Sequence, residues 1–462
     1  MDRLLCHVIG RYSRVHLDVD ASFLQRAVRC FSNVPLPVPE HVSPSQVTAE
    51  NQYECIAAVV TPLWQTPYKE QLAIKLQWSQ SVMWNVVKKI CKQRKSWNVK
   101  KFSYRLHRVK PSPVTEGYRN KDDFNIQTGV DGNPKTMGFF VGSPADGPVV
   151  CVRGTHLVNI RQSHKEVAQA YEDYIRLSPL PPCCHFGDGG HWRNLVVRSN
   201  EAGQLMAVVT FHPQDLEQER LEEEGAKLRE YFLHGPGARC NLTSLYFQPC
   251  RHTRCTADQA PYTLLFGDPH LTETLEDFKF RVSPDSFFQV NTAAAAVLYN
   301  TVFSLAHLTP MTTLLDVCCG TGTMSILASR RVRGAVGVDS VSSAVTDARN
   351  NALANEALNV EFIAGLAEKK IPRIIAGLGM ASHIVAVVNP GRSGLHSQAV
   401  KALCSCRQIK RVVYVSCKAD SPNTVSNFIQ LCTEGQFSLG HVVPVDLFPH
   451  TLHTELILEF SR

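Results

Sequence analysis

Apolar and polar positions divide the chain into two kinds of pattern. From about Arg281 onward, short apolar runs alternate with helical stretches. Residues 292–305 read as a helix, 313–317 as a strand, and a Gly-containing loop then leads into a helix over 324–329. Residues 334–339 form the next strand and 343–356 the next helix. Further strands are expected at 360–364, 383–389 and 411–416, and 442–448 with 455–460 close the sheet as an antiparallel pair around Pro449. Strands alternating with helices predict an α/β fold: a doubly wound, Rossmann-like sheet with ligands at the C-terminal strand edge.

Upstream the pattern differs. Between Val109 and Pro213, β-like runs at 137–141, 149–152, 195–197 and 206–211 are separated by Gly, Pro, Asn and Asp. Residues 217–232 read as an acidic helix, and 242–248 and 262–266 as strands. Residues 111–280 are therefore expected to form an α+β domain. Before it, Leu72, Ile74, Leu76, Val82, Val86 and Ile90 recur at helical spacing, so 71–92 reads as an amphipathic helix. That helix runs into a basic stretch, and 51–110 is assigned to the two together. Residues 1–50 form a leader, with Pro35, Pro37 and Pro39 as its linker.

Charge sharpens this picture. The net charge of +7 is modest, but Lys88–Lys110 holds ten Lys or Arg and no acid, interleaved with Trp97, Phe102 and Tyr104. Cations for phosphates and rings for stacking suit a nucleic-acid surface, against the plainer reading of a solvated helix face. Arg3, Arg11, Arg14, Arg26 and Arg29 lack a continuous apolar core around them, which argues against a secretory signal and fits an organellar transit segment, with Asp2, Asp18 and Asp20 counting against it. No uninterrupted apolar stretch reaches the length of a membrane span. The 16 cysteines include no C-x-x-C pair, and Cys240, Cys250 and Cys255 have the wrong spacing for a zinc ribbon, so a reducing compartment and no metal cluster are expected. Asn241-Leu-Thr243 reads as a chance sequon.

The candidate chemistry sits at strand ends. The loop Asp316-Val-Cys318-Cys-Gly320-Thr-Gly322-Thr323 follows a strand and opens a helix, with glycines that admit a close ligand. Asp339 ends the next strand, where a carboxylate binds ribose hydroxyls in nucleotide sites. Ser325 stands where the last glycine of a dinucleotide fingerprint would be, which disfavours a pyrophosphate cofactor. Cys417 follows the apolar run 412–415, and Glu455 begins the last strand. Alone, such a cysteine is usually core packing and such a carboxylate a solvated strand end. Together on one edge with a nucleotide loop they suit a nucleophile and a base. Asn389-Pro-Gly-Arg392 shares that edge, where the amide suits a base edge or cofactor and Pro-Gly alone reads as a turn. In the segment Ser283 to Asn291, Phe287 and Phe288 are candidates to shield a cofactor and Gln289 to bind it.

Taken in order, Ser283-Pro-Asp-Ser-Phe-Phe-Gln289-Val-Asn291, Asp316-Val-Cys-Cys-Gly-Thr-Gly322, Asn389-Pro-Gly-Arg-Ser-Gly394, Tyr414-Val-Ser-Cys417 and Asp446-Leu-Phe-Pro-His-Thr-Leu-His-Thr-Glu455 resemble the RNA (uracil-5-)-methyltransferase family. The resemblance continues upstream at Ser112 to Lys121 and at Gln71-Leu72. It implies an S-adenosylmethionine methyltransferase domain preceded by an α+β RNA-binding domain, acting on carbon 5 of uridine in tRNA and, as a second target class, rRNA. Gln289, Asp316, Cys318, Gly320, Gly322, Thr323, Asp339 and Asn389 would hold S-adenosyl-L-methionine. Cys417 would be the nucleophile and Glu455 the proton acceptor, on a uridine flipped from its stack. Together with the leader, the resemblance implies a mitochondrial matrix location; a monomer, no membrane and no iron–sulfur centre are also expected. Two departures stand out: Asn389-Pro-Gly replaces the usual Asp-Pro-Pro, and Lys418-Ala419 replaces the Asn-Pro that usually follows the cysteine. The rivals are an exocyclic-amine methyltransferase, which needs no Cys417, and a non-catalytic RNA-binding protein.

Overall fold

The computed structural model describes residues 42–93 and 102–462, apart from 146, 186, 188, 254, 258 and 380–382. Most of the leader, residues 1–41, and residues 94–101 of the basic stretch lie outside the described residues. The chain runs through α1 (Gln52–Val60), α2 (Tyr68–Gln93), β1 (Arg105–Leu106), β2 (Lys121–Gln127), β3 (Thr136–Val141), β4 (Val150–Val152), α3 (Gln162–Leu177), β5 (Trp192–Ser199), β6 (Leu205–Phe211), α4 (Gln218–Leu233), β7 (Ser244–Pro249) and β8 (Thr263–Gly267). It continues through β9 (Leu271–Leu275), β10 (Phe278–Val282), α5 (Thr292–Ala306), β11 (Thr312–Val317), α6 (Thr323–Ala328), β12 (Gly334–Asp339), α7 (Ser342–Ala354) and β13 (Val360–Ala364). Last come α8 (Ala367–Gly377), β14 (His383–Val388), α9 (Ser397–Ser405), β15 (Ile409–Ser416), α10 (Pro422–Thr433), β16 (Ser438–Val445) and β17 (Glu455–Ser461).

The half built on the C-terminal strands is an eight-stranded sheet in the order β1-β16-β17-β15-β14-β11-β12-β13. The strands from β15 to β13 are parallel, and β17 is antiparallel to both of its neighbours. Strand alternation sends successive residues to opposite faces. Leu315, Val317, Ala386, Val388, Val412 and Tyr414 join the core beneath α9, α10 and the second half of α2. Leu314, Val385, Val387, Val413 and Val415 join the core beneath α5, α6 and α7. Burying each such side chain contributes about 1.5–3 kcal/mol, and helices on both faces explain the continuous apolar runs of these strands. From β11 the chain winds to β12 on one side and later to β14 on the other, so the switch point lies at the end of β11.

The central half is a seven-stranded sheet, β4-β3-β2-β5-β6-β7-β8, antiparallel except for β6 with β7. One face packs on α3, α4 and α1 through Tyr171, Ile175, Leu228, Phe232 and Ile56, and the other carries a small cluster of Met206, Val208, Tyr246 and Leu271. Helix α3 corrects the sequence reading, which saw only β-like runs there. Val167, Ala168, Tyr171, Tyr174 and Ile175 are buried at helical spacing. The stretch 51–110 is shared out: α1 packs on the central core, while Val82, Met83, Val86 and Ile90 of α2 and Tyr104 and Leu106 pack on the eight-stranded sheet. The β9–β10 hairpin also packs on the eight-stranded sheet through Leu275, Phe278, Phe280 and Val282.

Two further expectations change. Tyr104 is buried and Phe102 packs beside it, so these two rings serve the core rather than a stacking surface. Lys88, Lys89 and Lys92 do lie exposed at the end of α2. Cys250 and Cys255 form a disulfide, against the reading of all cysteines as reduced; they flank the loop after β7. No group of His, Cys, Asp and Glu among the described residues is arranged to hold a metal ion.

Candidate active site at the strand edge

Strand register gathers the candidate residues into one row. β15 and β17 run antiparallel with Ser416 opposite Leu456, so the next residue of one, Cys417, and the preceding residue of the other, Glu455, meet side by side. Val388 lies opposite Tyr414 and Val317 opposite both Val388 and Val338. Asn389, Cys318 and Asp339 therefore follow in turn along the same edge, and the Asn389 N–H donates to the Val317 carbonyl at 3.1 Å.

The loop after β11 is held open by its backbone. Cys318 adopts a left-handed φ of 65°, unusual for a residue with a Cβ. Its N–H and that of Cys319 both bond the Val338 carbonyl, at 2.9 and 3.1 Å. A Cβ on Gly322 would press into the Phe362 ring, whereas one on Gly320 would face open space. The Gly320 N–H donates to Asp339 Oδ2 at 3.0 Å, and Asp339 Oδ1 accepts from Val341 N at 2.9 Å. Asp316 is fully buried. Its Oδ2 accepts from the N–H and hydroxyl of Ser325, at 3.2 and 2.8 Å, while its Oδ1 has no partner. Burial raises its pKa to about 6 against the pull of those bonds.

Thr323 is buried at the start of α6. Gln289 is buried too, with its carbonyl bonded by Asn120 at 2.8 Å and its side-chain amide uncommitted among the described residues. Two residues on, Asn291 caps α5 by accepting from Ala294 N at 3.0 Å. An open backbone at Gly320, an orphaned carboxylate oxygen on Asp316 and a fixed carboxylate at Asp339 fit a ligand carrying an ammonium group and ribose hydroxyls. Phe288 is buried against Phe280, but Phe287 is 64% exposed.

Cys417 and Glu455 modify one another. Burial and the Glu455 carboxylate push the Cys417 thiol above its ordinary pKa, while the Arg392 guanidinium bonded to it pulls the other way. Glu455 is 5% exposed, and burial alone raises its carboxyl to about 7. Burial and the cations Arg392, Lys75 and Lys418 hold His453 below its usual range, so its ring is neutral near pH 7. The site thus pairs a protonated thiol with a carboxylate poised to exchange protons near neutrality.

Residues 264–461 match the family profile described as tRNA (Uracil-5-)-methyltransferase. The chain is 45% identical to tRNA (uracil-5-)-methyltransferase homolog B of Pongo abelii over 92% of its own length and 90% of that protein's. It is 38% identical to homolog A of Mus musculus over 88% of its length and 69% of that protein's. The chain belongs to the tRNA (uracil-5-)-methyltransferase family. Its fold resembles the crystal structure of Pyrococcus abyssi tRNA (uracil-54, C5)-methyltransferase in complex with S-adenosyl-L-homocysteine. The TM-score is 0.58 at 21% identity, covering 86% of this chain and 84% of that one.

In this member of the tRNA (uracil-5-)-methyltransferase family, a cavity of about 580 Å³ opens beside the row, not over Cys417. The polar face of the central sheet, with Lys121, Arg193 and Arg198, forms one wall, and Asp285 with Ser340 and Ser342 the other. Arg198 is buried; one guanidinium nitrogen bonds the Ser286 carbonyl at 2.5 Å and Nε has no partner. Sequence reasoning gave none of these residues a role, nor any to Arg392. Arg392 was within reach of it, three positions past Asn389 on the same edge. Arg198 was not, because its importance comes from a face of β5 that only the packed sheet defines.

Proposed function

We propose that this protein methylates carbon 5 of uridine in tRNA through a covalent adduct on Cys417. The observation that carries this reading is the meeting of Cys417 and Glu455 across β15 and β17, on the edge that also bears the Asp316–Asp339 loop. Carbon 5 of uracil is a poor nucleophile until a thiolate adds to carbon 6. Cys417 must therefore lose its proton as it attacks. Arg392 favours the thiolate, and the thiol proton passes to solvent, which leaves the Glu455 carboxylate free for the later proton removal. Addition forms the sulfur–carbon 6 bond and shifts electrons toward carbon 5 and the carbon 4 oxygen.

S-Adenosyl-L-methionine, when bound, supplies an electrophilic methyl group for carbon 5. Gln289, Asp316, Asp339 and Asn389, with the loop Cys318 to Thr323, would hold it. Glu455 then takes the proton from carbon 5, the sulfur–carbon 6 bond breaks, and Cys417 leaves as thiolate. The basic wall of the cleft and the exposed lysines ending α2 favour an RNA substrate. Incubation with a tRNA transcript and methyl-labelled S-adenosyl-L-methionine, then digestion to nucleosides, tests the reading. Label is expected in 5-methyluridine. Label in a methylated amine of cytidine or adenosine would replace it with the exocyclic-amine reaction. RNA binding without any label would favour a non-catalytic role.

We extend the proposal to rRNA as a second substrate, on the family resemblance, and to the mitochondrial matrix, on that resemblance together with the Arg-rich start of the chain. Labelled rRNA fragments and a reporter carrying the first fifty residues test these two extensions separately.

A further inference from the structure

The segment 446–454 joins β16 to β17 and presents Glu455. It has no regular secondary structure, yet Asp446, Leu447, His450, Thr451 and Thr454 are buried. Helix α2 fastens it through side chains on one face. Lys75, itself fully buried, donates to Asp446 Oδ1 at 2.5 Å and to the Phe448 carbonyl at 2.9 Å. Gln71, also fully buried, accepts from the His450 N–H at 2.7 Å and bonds His450 Nδ1 at 3.0 Å. The Tyr68 hydroxyl bonds Asp446 Oδ2 at 3.1 Å. His450 takes a left-handed φ of 67°, a conformation its surroundings must hold.

Burying a lysine with its aspartate contributes little net stability, since desolvation offsets the attraction. What such a pair does provide is direction. Two bonds from Lys75 and two from Gln71 fix where the segment runs, and Glu455 is the first residue beyond it. We propose that Gln71 and Lys75 are positioning residues for proton removal: they set the place of the Glu455 carboxylate without touching the reacting base. This inference rests on the covalent mechanism proposed above.

The test separates the steps before proton removal from proton removal itself. A 5-fluorouridine tRNA passes through addition and methylation and stalls as a covalent adduct, because fluorine cannot leave as a proton does. Ordinary tRNA must also pass proton removal. Lys75→Met and Gln71→Met should trap on 5-fluorouridine tRNA within about twofold of the wild-type rate. Both should turn over ordinary tRNA about tenfold to a hundredfold more slowly, the loss expected from misplacing a catalytic group by an ångström. The methylated adduct with ordinary tRNA should accumulate accordingly. An equal fall in trapping and turnover would overturn the proposal, leaving both residues merely structural. So would full turnover by either folded variant. Should Lys75→Met not fold, Gln71→Met decides alone. Failure of the wild-type protein to trap 5-fluorouridine tRNA would instead sink the covalent mechanism.

Discussion

Two buried carboxylates of the catalytic sheet differ from those of the central half, although Glu459 of the same sheet pairs with Arg411 at 3.5 Å. In the central half, Asp122 meets Arg119 at 2.5 Å and His164 at 2.7 Å. Glu172 meets Arg153 at 2.6 Å, Arg176 at 2.9 Å and the Met137 N–H at 2.9 Å. In the catalytic half, Asp316 and Glu455 are as deeply buried, and no cation among the described residues pairs with either. Glu273 in β9 stands between the two, with a Thr292 hydroxyl and the Thr274 N–H as partners and its carboxyl raised by burial to about 7. A buried acid neutralised by its own neighbours is finished structure. One left over has charge or proton affinity to offer a ligand; Glu455 lies in the row with Cys417, and Asp316 lies in β11 two residues before Cys318. Asp446 shows that position alone does not decide: it begins the segment that leads to Glu455, but Lys75 neutralises it, and it serves as scaffold.

The contrast can be broken most forcefully at Glu455. Glu455→Gln should lower turnover by roughly 10²–10⁴-fold, the usual contribution of a positioned base, while leaving a methylated covalent adduct visible by electrophoresis. The same variant sharpens the electrostatic side. The folded carboxyl titrates near 7, above its ordinary value, so its contribution to stability is full below about pH 4.5 and is lost as pH rises through 7. Wild-type melting temperature should thus fall relative to Glu455→Gln between pH 5 and 8, with a free-energy span on the order of 3 kcal/mol at most. Parallel melting curves would mean that Glu455 is hydrated or paired. Turnover should rise over the same interval as the base deprotonates.

Glu172→Gln acts on the other kind of acid. It should destabilise the fold by about 2 kcal/mol, less than a fully buried pair because Arg153 and Arg176 remain partly hydrated. Turnover per folded molecule should not change, as denaturant melts beside initial rates would show. The smallest effect is expected at Ser325→Ala. Removing the hydroxyl bond to Asp316 Oδ2 should cost about 1 kcal/mol. It should weaken S-adenosyl-L-methionine binding measured by calorimetry by about fivefold, leaving RNA affinity unchanged.

The catalytic half was legible because its parallel strands are buried on both faces and read as plain apolar runs. The strands Gly334–Asp339 and Val360–Ala364 stand where the sequence places them. The central half was harder. β2 reads Lys-Asp-Asp-Phe-Asn-Ile-Gln because one face is core and the other lines the cleft, so its polar residues hide a strand. Helix α3 shows helical periodicity but lies among β-like neighbours. In the row of site residues, what could be read was each residue at its strand end. The partners that tune them could not be read: Arg392 acts through loop geometry, and Lys75 reaches Asp446 across 371 positions of sequence.

The central claim is that Cys417 attacks carbon 6 of a uracil. Denaturing electrophoresis of the protein with 5-fluorouridine-substituted tRNA and S-adenosyl-L-methionine, beside Cys417→Ala, tests it most directly. The account requires a slower-migrating protein–RNA band for the wild type and none for the variant. A band of equal strength in both, or none in either while tRNA still acquires 5-methyluridine, would contradict it.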